Sequence, residues 1–526
     1  MSEPRQPSST GKWQFRRSLA TVRNVAACYA GTAAEGAVFL LITPFLVRRL
    51  GLVSFGLWSL AIALVEWLQL LDLGLRDALM KYTAAHQARS EAEGVRQLAG
   101  TALFVYLLLG LVALAVVQGF AWFGLPGLVD DADYLFQARG AFLLLGLSAA
   151  VALPGGVAGS LLEGLSRFDL LNLFRVMFAI VRLVLIVLAI QFQLDLIGLA
   201  AAELVSRLAL HAVRWSAVIR LYPAIVPRPR PHADDLRRIF GFGLWSALRQ
   251  GSETAASRIC EPILAVFSGA ASVGTFAIGR RLATLSAEVV VPLAGVLFPL
   301  SSELEASGRE ESLRQTLLKT TKFAFFAAVP LSLVLGLGAG PIQRNWLGGK
   351  APDVEPILAI FSAVFLVVAV SLPSEVILQG LGRVRLLALL GLGQLAVIAG
   401  LGIFLTRRIG AEGLALATLV AAATLQAVLI PVAARRCALP FSILFRRALL
   451  PTFVAGAPIA LVMLLLRGEV AYGGLASLAT WAGSGVLTYG LIYWWIGLDG
   501  EERAFFRSHI IRLWTPPAEI DDWDES

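Results

Sequence analysis

The sequence predicts an all-α polytopic membrane protein with about fourteen transmembrane helices, and three observations lead to that fold class. The 526 residues have a mean hydropathy of +0.76, with 57% hydrophobic and only 15% charged residues. Soluble domains contain about 25% charged residues, so a soluble chain of this composition would lack polar surface. The apolar runs are about 20 residues long, the length of a membrane-crossing helix. They lack the alternating polarity of strands in a membrane barrel.

The predicted helices follow one another along the whole chain. Their approximate spans are 24–47, 53–75, 98–121, 138–161, 168–191, 196–218, 239–267, 273–300, 320–342, 355–378, 386–405, 411–433, 448–466 and 472–496. The chain then divides into a basic cytoplasmic N-terminal tail (1–23), an N-lobe with helices 1–6 (24–218), a basic cytoplasmic linker (219–238), a C-lobe with helices 7–12 (239–433), helices 13–14 (434–498) and an acidic cytoplasmic tail (499–526). No cleavable signal pattern precedes the first span, so that span is expected to direct insertion.

The distribution of Lys and Arg predicts the orientation of the chain. With the N-terminus in the cytoplasm, most of the 44 basic residues fall in cytoplasmic segments, and only seven fall in the opposite loops. Such an excess is typical of the cytoplasmic side of a membrane protein. An even number of helices then places both termini in the cytoplasm. The outer loops are too short to hold a catalytic domain.

An internal repeat is visible in the spacing of glycine, proline and glutamate. Four residues recur at a constant offset of 218: Glu35, Pro44, Gly51 and Gly56 against Glu253, Pro262, Gly269 and Gly274. A second match, at an offset of 216, aligns residues 163–167 with residues 379–383. Because six helices lie between the copies, both have the same orientation, which is a parallel repeat about an axis along the membrane normal. Two such lobes around a cleft are typical of alternating-access transporters.

Seven arginines lie in the interior of the predicted spans, where a charge costs several kcal/mol unless it faces a cavity or a partner. They are Arg175 and Arg182 on helix 5, Arg207 on helix 6, Arg249 and Arg258 on helix 7, and Arg280 and Arg281 on helix 8. Arginine suits phosphate because its planar fork donates two hydrogen bonds and stays charged. One interpretation is therefore a water-filled cationic cavity for an anion, with kinks at prolines of helices 7 and 8 allowing motion.

Acidic residues at the same depth support a second interpretation, mutual neutralisation. The acids are Glu35, Glu66, Glu203, Glu253, Glu261 and Glu288. Helical spacing predicts four pairs that share a face: Arg249 with Glu253, Arg207 with Glu203, Arg258 with Glu261, and Arg281 with Glu288. Arg175 and Arg182 have no acid at matching spacing on their own helix, so they need a partner on another helix or an anionic ligand. Five carboxylates are candidates for ion coupling or for the cavity wall: Glu35, Glu66, Glu253, Glu261 and Glu288.

Several chemistries find no support in the sequence. There is no phosphate-binding G-x-x-x-x-G-K-[ST] loop, and the three cysteines and four histidines are scattered without metal-ligand spacing. We therefore expect no metal site and no cofactor, with a coupling ion, H⁺ or Na⁺, as the candidate energy source. In a membrane chain the net charge of +8 reflects basic loops, so no nucleic acid is expected as a partner.

Two stretches carry a resemblance to a known family. Residues 45–85 contain an Arg-Leu-Gly turn (49–51), a Phe-Gly-Leu-Trp entry (55–58) and a Leu-Asp-Leu-Gly-Leu exit (71–75). This stretch resembles the first helical hairpin of Wzx-type oligosaccharide flippases, in the multidrug/oligosaccharidyl-lipid/polysaccharide (MOP) exporter superfamily. Residues 269–285 resemble the start of helix 8 in the same family, and the likeness extends over about residues 20–435.

The resemblance implies a function and a set of partners. Such flippases move undecaprenyl-pyrophosphate-linked oligosaccharides from the cytoplasmic to the periplasmic leaflet of the bacterial inner membrane, for surface polysaccharide biosynthesis. It implies that Arg249, Arg258, Arg280 and Arg281 meet the pyrophosphate, and Arg175 and Arg182 are further candidates for pyrophosphate or sugar binding. The partners are then the polyprenyl-pyrophosphate-linked oligosaccharide, membrane lipids, and candidate assembly proteins such as a polysaccharide polymerase.

Four alternatives stay open at this point. A cation-coupled multidrug exporter of the same fold should favour carboxylates over arginines in its cavity, because its substrates are usually cationic. A lipid II flippase is disfavoured because helix 1 carries Glu35 and no interior arginine, and helix 2 carries Glu66. A membrane glycosyltransferase or polymerase usually needs a sizeable outer loop. A scaffold subunit of a glycan assembly complex would lack transport activity altogether.

Overall fold

The computed structural model describes residues 9–504 except 69–71, 73–74, 90, 130, 166, 234, 236–243, 291, 352 and 471–472, and it leaves out the side chains of 9–35, 77, 85, 88, 244–247, 292–296 and 299. Within these residues every long element is a helix, which confirms the all-α fold class. The helices are α1 (Ser9–Trp67), α2 (Leu75–Ala88), α3 (Ala92–Phe123), α4 (Ala132–Gly164), α5 (Phe168–Gln191), α6 (Asp195–Leu221), α7 (Leu244–Arg258), α8 (Cys260–Ala287), α9 (Pro292–Ala306), α10 (Glu310–Leu337), α11 (Ala339–Leu347), α12 (Val354–Gly380), α13 (Val384–Arg436), α14 (Phe441–Val470) and α15 (Gly474–Ile496).

Eleven helices of the described chain are long and apolar enough to cross a membrane. Three of them contain a break in the helical backbone: α1 at Gly51, α8 at Gly269, and α13 at Ile409 and Gly410. Each broken helix connects two of the predicted spans end to end, so eleven continuous elements account for fourteen spans. The chain is a multi-pass membrane protein, as its composition predicts.

Two of these breaks have the same backbone geometry in the two copies of the repeat. Gly51 has φ 78° and ψ 171°, and Gly269, 218 residues later, has φ 80° and ψ 170°. This conformation is almost restricted to glycine, because any Cβ would make it strained. The predicted correspondence of these glycines therefore reflects one shared turn that ends the first helix of each lobe and begins the second.

A second glycine pair brings the two lobes into backbone contact. A Cβ on Gly56 would lie 1.7 Å from the carbonyl oxygen of Ala270, and a Cβ on Gly274 would lie 2.8 Å from that of Leu52. Only glycine fits at either position, so α1 and α8 cross with their backbones touching. Gly56 and Gly274 also differ by 218 in number, so each copy of the repeat contributes one glycine to this crossing.

The remaining helices pack mainly within their own lobe. In the N-lobe, α4 packs against α3 and α6, while α5 packs against α6 and α1. In the C-lobe, α12 packs against α10, α13 and α8, and α13 also packs against α7. The pair α14 and α15 packs together and lies against α10. The largest buried apolar cluster spans both lobes along α1 and α8.

Polar contacts near α11 join the lobes on the predicted outer side. Trp346 donates its indole N–H to the carbonyl of Leu40 at 2.9 Å, and its ring centroid lies 6.2 Å from that of Phe39. The Nζ of Lys350 lies 3.4 Å from the carbonyl of Arg48. These contacts, together with the glycine crossing, connect the lobes on that side.

Candidate functional site

A cavity of about 750 Å³ lies between the two lobes, and we call it the central cavity. Helices α1, α5 and α6 supply its N-lobe wall, and α7 and α8 supply most of its C-lobe wall. Apolar residues such as Phe39, Ile42 and Trp58 cover part of the surface. Its ionisable lining residues are Glu66, Arg182, Glu203, Arg207, Glu253, Arg258, Glu261, Arg280 and Arg281. The central cavity thus contains five arginines and four glutamates.

Two of these side chains, Arg258 and Glu261, lie on either side of the break between α7 and α8. Helix α7 ends at Arg258 and α8 begins at Cys260. Pro262 explains the break, because it has no N–H to donate to the carbonyl of Arg258, four residues earlier. The guanidinium of Arg280 lies across the break and donates to the carbonyl of Ser257. The sequence predicts a kink at Pro262, and this break is consistent with it.

Four residues form a line of alternating charges, Glu66–Arg258–Glu261–Arg280, which we call the charge chain. Arg258 contacts Glu66, and its Nη1 lies 4.0 Å from the carboxylate of Glu261. Arg280 donates to Glu261, whose side chain is only 1% exposed. The contact between Glu66 and Arg258 crosses from α1 to α7 and so joins the lobes. The pair of Arg258 with Glu261, predicted from spacing, is present but is the longest contact of the chain.

A second group of three residues, Arg182, Arg207 and Glu203, contains two arginines and one acid, and we call it the arginine triad. Glu203 of α6 accepts from Arg207 at 2.6 Å and lies 2.8 Å from the Nε of Arg182 on α5. Its side chain is 3% exposed, whereas that of Arg182 is 41% exposed. The predicted pair of Arg207 with Glu203 is present, and Glu203 is also the partner on another helix that Arg182 requires. Two arginines on one carboxylate leave a net positive charge on the N-lobe wall.

The other predicted pairs lie at the edge of the central cavity. Arg281 contacts Glu288 at 2.9 Å, and its guanidinium lies 5.9 Å from the ring centroid of Phe39. Arg249 donates to Glu253, as spacing predicts. Glu253 also lies near Glu375 of α12, a juxtaposition of two carboxyl groups that the sequence did not suggest.

A further cavity of about 500 Å³ is lined mainly by N-lobe helices and on one side by α7 of the C-lobe, and we call it the side cavity. Its ionisable lining residues are Asp72, Arg76, Glu163, Arg175, Arg182, Glu203, Arg207, His211 and Arg214. Arg76 contacts Glu163 at 2.5 Å. The arginine triad lines the side cavity and the central cavity alike, so it forms the wall between them.

The structure brings most of the predicted site residues together. Seven of them line the central cavity: Arg182, Arg258, Arg280, Arg281, Glu66, Glu253 and Glu261. Arg175 lines the side cavity instead, and Arg249 and Glu288 hold other residues of the site through ion pairs. The side chain of Glu35 lies outside the described residues. Glu163 and Arg214 were missed, although Arg214 follows Arg207 by two helical turns and so shares its face.

Two comparisons of sequence relate this chain to known proteins. The profile of a family described as polysaccharide biosynthesis protein matches residues 21–305. EpsK, an uncharacterized membrane protein of Bacillus subtilis (strain 168), is 23% identical over 342 residues. The matched region covers 62% of this chain and 65% of EpsK, so the chain spans slightly less than two thirds of that relative.

Solved structures of the MOP superfamily share the fold. The inward-facing conformation of a multidrug resistance MATE family transporter gives a TM-score of 0.68 at 16% identity, over 78% of this chain and 98% of that one. The outward-facing conformation of such a transporter gives 0.59 at 17% identity, over 79% and 95%. A MOP superfamily transporter from Pyrococcus furiosus, described as having reverse polarity of its binding pocket, also gives 0.59 at 17% identity, over 80% and 95%.

Proposed function

Because the chain belongs to the polysaccharide biosynthesis protein family and has the MOP superfamily fold, we propose that it is a flippase for a lipid-linked oligosaccharide. Its cargo is an undecaprenyl-pyrophosphate-linked repeat unit, which it moves from the cytoplasmic to the periplasmic leaflet of the bacterial inner membrane. Both termini lie in the cytoplasm. The observation that carries the proposal is the central cavity itself, where five arginines line the space between two lobes.

The arginines of this cavity supply what a pyrophosphate requires. Each guanidinium in the charge chain and the arginine triad already binds carboxylate oxygens, so it is oriented to bind oxygens of the same geometry in a ligand. A pyrophosphate brings more negative charge than one carboxylate and more acceptor atoms. It therefore competes with the glutamates for Arg258 and Arg280, while the lipid tail stays in the bilayer.

Competition at Arg258 links binding to motion of the lobes. Glu66 and Arg258 belong to different lobes, and their contact holds α1 against α7 within the cavity. When phosphate oxygens replace Glu66, that tie between the lobes is released. The contacts of Trp346 and Lys350 with α1 lie on the predicted outer side, which supports a state that receives cargo from the cytoplasm. Release of the tie then favours rocking toward the opposite state.

The carboxyl pair of Glu253 and Glu375 supports H⁺ as the coupling ion. Two neighbouring carboxyl groups repel each other when both are ionised, so this pair is suited to take up and release one proton. Arg249, bound to Glu253, changes the electrostatic cost of that proton. Because Glu253 also lines the central cavity, its charge affects the cargo directly.

A cation-coupled multidrug exporter is the second candidate, and the four glutamates of the central cavity favour it. Carboxylates attract cationic drugs, whereas arginines repel them. Here each of these glutamates contacts an arginine, so a cationic drug would have to displace a buried charge partner. An anionic ligand would likewise have to displace a glutamate from its arginine, but it is attracted by the net positive charge of the arginine triad.

Reconstitution of the full-length protein in liposomes separates these functions. We expect the wild type to move a fluorescent undecaprenyl-pyrophosphate-linked sugar between leaflets, and Arg258→Gln and Arg280→Gln to slow it by about tenfold. Arg447→Gln is the matched control, because Arg447 is exposed at the start of α14, far in sequence from the cavity residues. Transport of a cationic dye without movement of the lipid-linked sugar would instead identify a drug exporter.

A further inference from the structure

We propose that the side cavity binds an acidic sugar of the cargo, so that the protein prefers glycans bearing a carboxylate or a phosphate substituent. This inference rests on the proposed flippase function and adds the chemical class of the glycan. The pyrophosphate occupies the central cavity, and the anionic substituent on the sugar chain occupies the side cavity.

The charge of the side cavity is the first reason. Five arginines line it, against the three carboxylates of Asp72, Glu163 and Glu203. One carboxylate, Glu163, contacts Arg76 and attracts Arg214, whose guanidinium is also repelled by the charges of Arg76 and Arg175. The other group in the wall is the arginine triad, again with more arginines than acids. Such an excess of positive charge in a partly open cavity attracts an anionic ligand.

The chemistry of the other lining residues fits a sugar. Ser160, Ser206, Gln250 and Thr254 present hydroxyl and amide groups around the arginines. Such groups hydrogen-bond to sugar hydroxyls, while a guanidinium binds a carboxylate or phosphate through two parallel hydrogen bonds. The volume of about 500 Å³ lies within the range of small-molecule sites.

An unpartnered donor points to a ligand in this cavity. The Nε of Arg214 is buried and forms no hydrogen bond within the part of the chain that the structure describes. Gly159 leaves room beside the same guanidinium, since a Cβ there would lie 3.4 Å from its Nη1. A buried donor without an acceptor is costly, and Arg214, which lines the side cavity, would lose that cost by turning its guanidinium toward an acidic sugar there.

The position of the side cavity explains how one cargo reaches both sites. Arg182, Glu203 and Arg207 line both cavities, so a headgroup in the central cavity lies directly across this wall from the side cavity. Gln250 and Thr254 of α7 line the side cavity, and Glu253 and Arg258 of the same helix line the central one. A sugar chain attached to the pyrophosphate therefore extends along α7 from one cavity into the other.

Three cargo probes test the proposal with the full-length protein in liposomes. Each is an undecaprenyl-pyrophosphate-linked disaccharide, and the terminal sugar is glucose, glucuronic acid or glucose 6-phosphate. We expect the wild type to move at least one of the acidic probes about tenfold faster than the neutral probe. The two acidic probes distinguish a carboxylate from a phosphate as the preferred group.

The variant Arg214→Gln completes the test, with Arg214→Lys as the matched control that keeps the charge. We expect Arg214→Gln to slow the acidic probe about tenfold more than it slows the neutral one, with an unchanged melting temperature to verify folding. Equal wild-type rates for all three probes would overturn the acidic-sugar inference and leave the flippase intact. No movement of any probe by the wild type would reject the flippase itself.

Discussion

The first helical hairpin of each lobe has the same backbone turn but places its charged side chains at different positions. Both hairpins turn at a glycine of nearly identical φ and ψ, and both contribute a glycine to the crossing of α1 with α8. Three cavity positions related by the offset of 218 nevertheless differ in chemistry. They are Ile62 against Arg280, Glu66 against Thr284, and Thr43 against Glu261. The repeat thus preserves the backbone of the hairpin, whereas the polar residues that line the central cavity differ between its two copies.

The same contrast extends to how each lobe neutralises its arginines. In the charge chain, acids and arginines alternate, so the C-lobe wall together with Glu66 is balanced. In the arginine triad, Glu203 alone serves Arg182 and Arg207. The arginine triad of the N-lobe therefore keeps a net positive charge, whereas the arginines of the charge chain are balanced by acids. An anionic ligand should consequently be attracted more strongly to the N-lobe wall.

The largest expected effect compares the central acids of the two groups. Glu203→Ala should lower the free energy of unfolding by about 3–5 kcal/mol, because it leaves two arginines beside a buried site without their acceptor. Glu261→Ala should cost less, since Arg258 keeps Glu66 as a partner. Thermal unfolding of the purified variants measures the difference. Equal losses would contradict the distinction between triad and chain.

The glycine crossing gives the next effect. Gly56→Ala should destabilise the protein by about 1–3 kcal/mol, because its Cβ would overlap the backbone of α8. Gly393→Ala in α13 is the matched control: nothing lies within 4 Å of its Cβ, and alanine favours a helix. We expect the melting temperature to fall for the first variant and to stay constant or rise for the second.

The two turn glycines give a smaller pair of effects that should be equal. Gly51→Ala and Gly269→Ala each meet no atom within 4 Å, so backbone strain is the whole penalty, about 1–3 kcal/mol at most. Measured losses that agree with each other support a shared turn. A large loss at one glycine and none at the other would show that the turns are not equivalent.

The smallest expected effect on stability, though not on transport, comes from exchanging the charges between the lobes. Glu66→Arg with Arg258→Glu keeps an ion pair between α1 and α7 but turns the 4.0 Å contact with Glu261 into a repulsion between carboxylates, so the melting temperature should fall only slightly. Flipping should nevertheless fall by about tenfold, since the arginine that meets pyrophosphate has moved to the other lobe. Full transport by the exchanged protein would mean that the pair serves only to hold the lobes together.

Local periodicity made part of this molecule predictable from sequence. The pairs Arg249–Glu253 and Arg207–Glu203 follow from the geometry of one helix, and they are present. The glycine offsets predicted the repeat, because a backbone that requires glycine restricts the residue at that position. The spans were predictable because lipid requires continuous apolar helices.

Contacts between helices were not predictable in the same way. The partner of Arg258 is Glu66, almost two hundred residues away, and that of Arg280 is Glu261 across the break before α8. Such pairs depend on how helices cross, which one sequence does not reveal. Helix limits also differed: α10 begins at Glu310, ten residues before its predicted span, because Leu313 and Leu317 bury its amphipathic first turns.

We expect the close crossing of Gly56 with Gly274 to serve as the pivot when the lobes move relative to each other. Glu66 lies ten residues beyond it on a continuous helix, which is a lever arm of about 15 Å at 1.5 Å per residue. A tilt of about 20° around the crossing would then displace Glu66 by about 5 Å, enough to separate it from Arg258, while the glycines barely move. A small rotation at the glycine crossing would therefore produce a larger displacement at the cavity, where the proposed headgroup must pass.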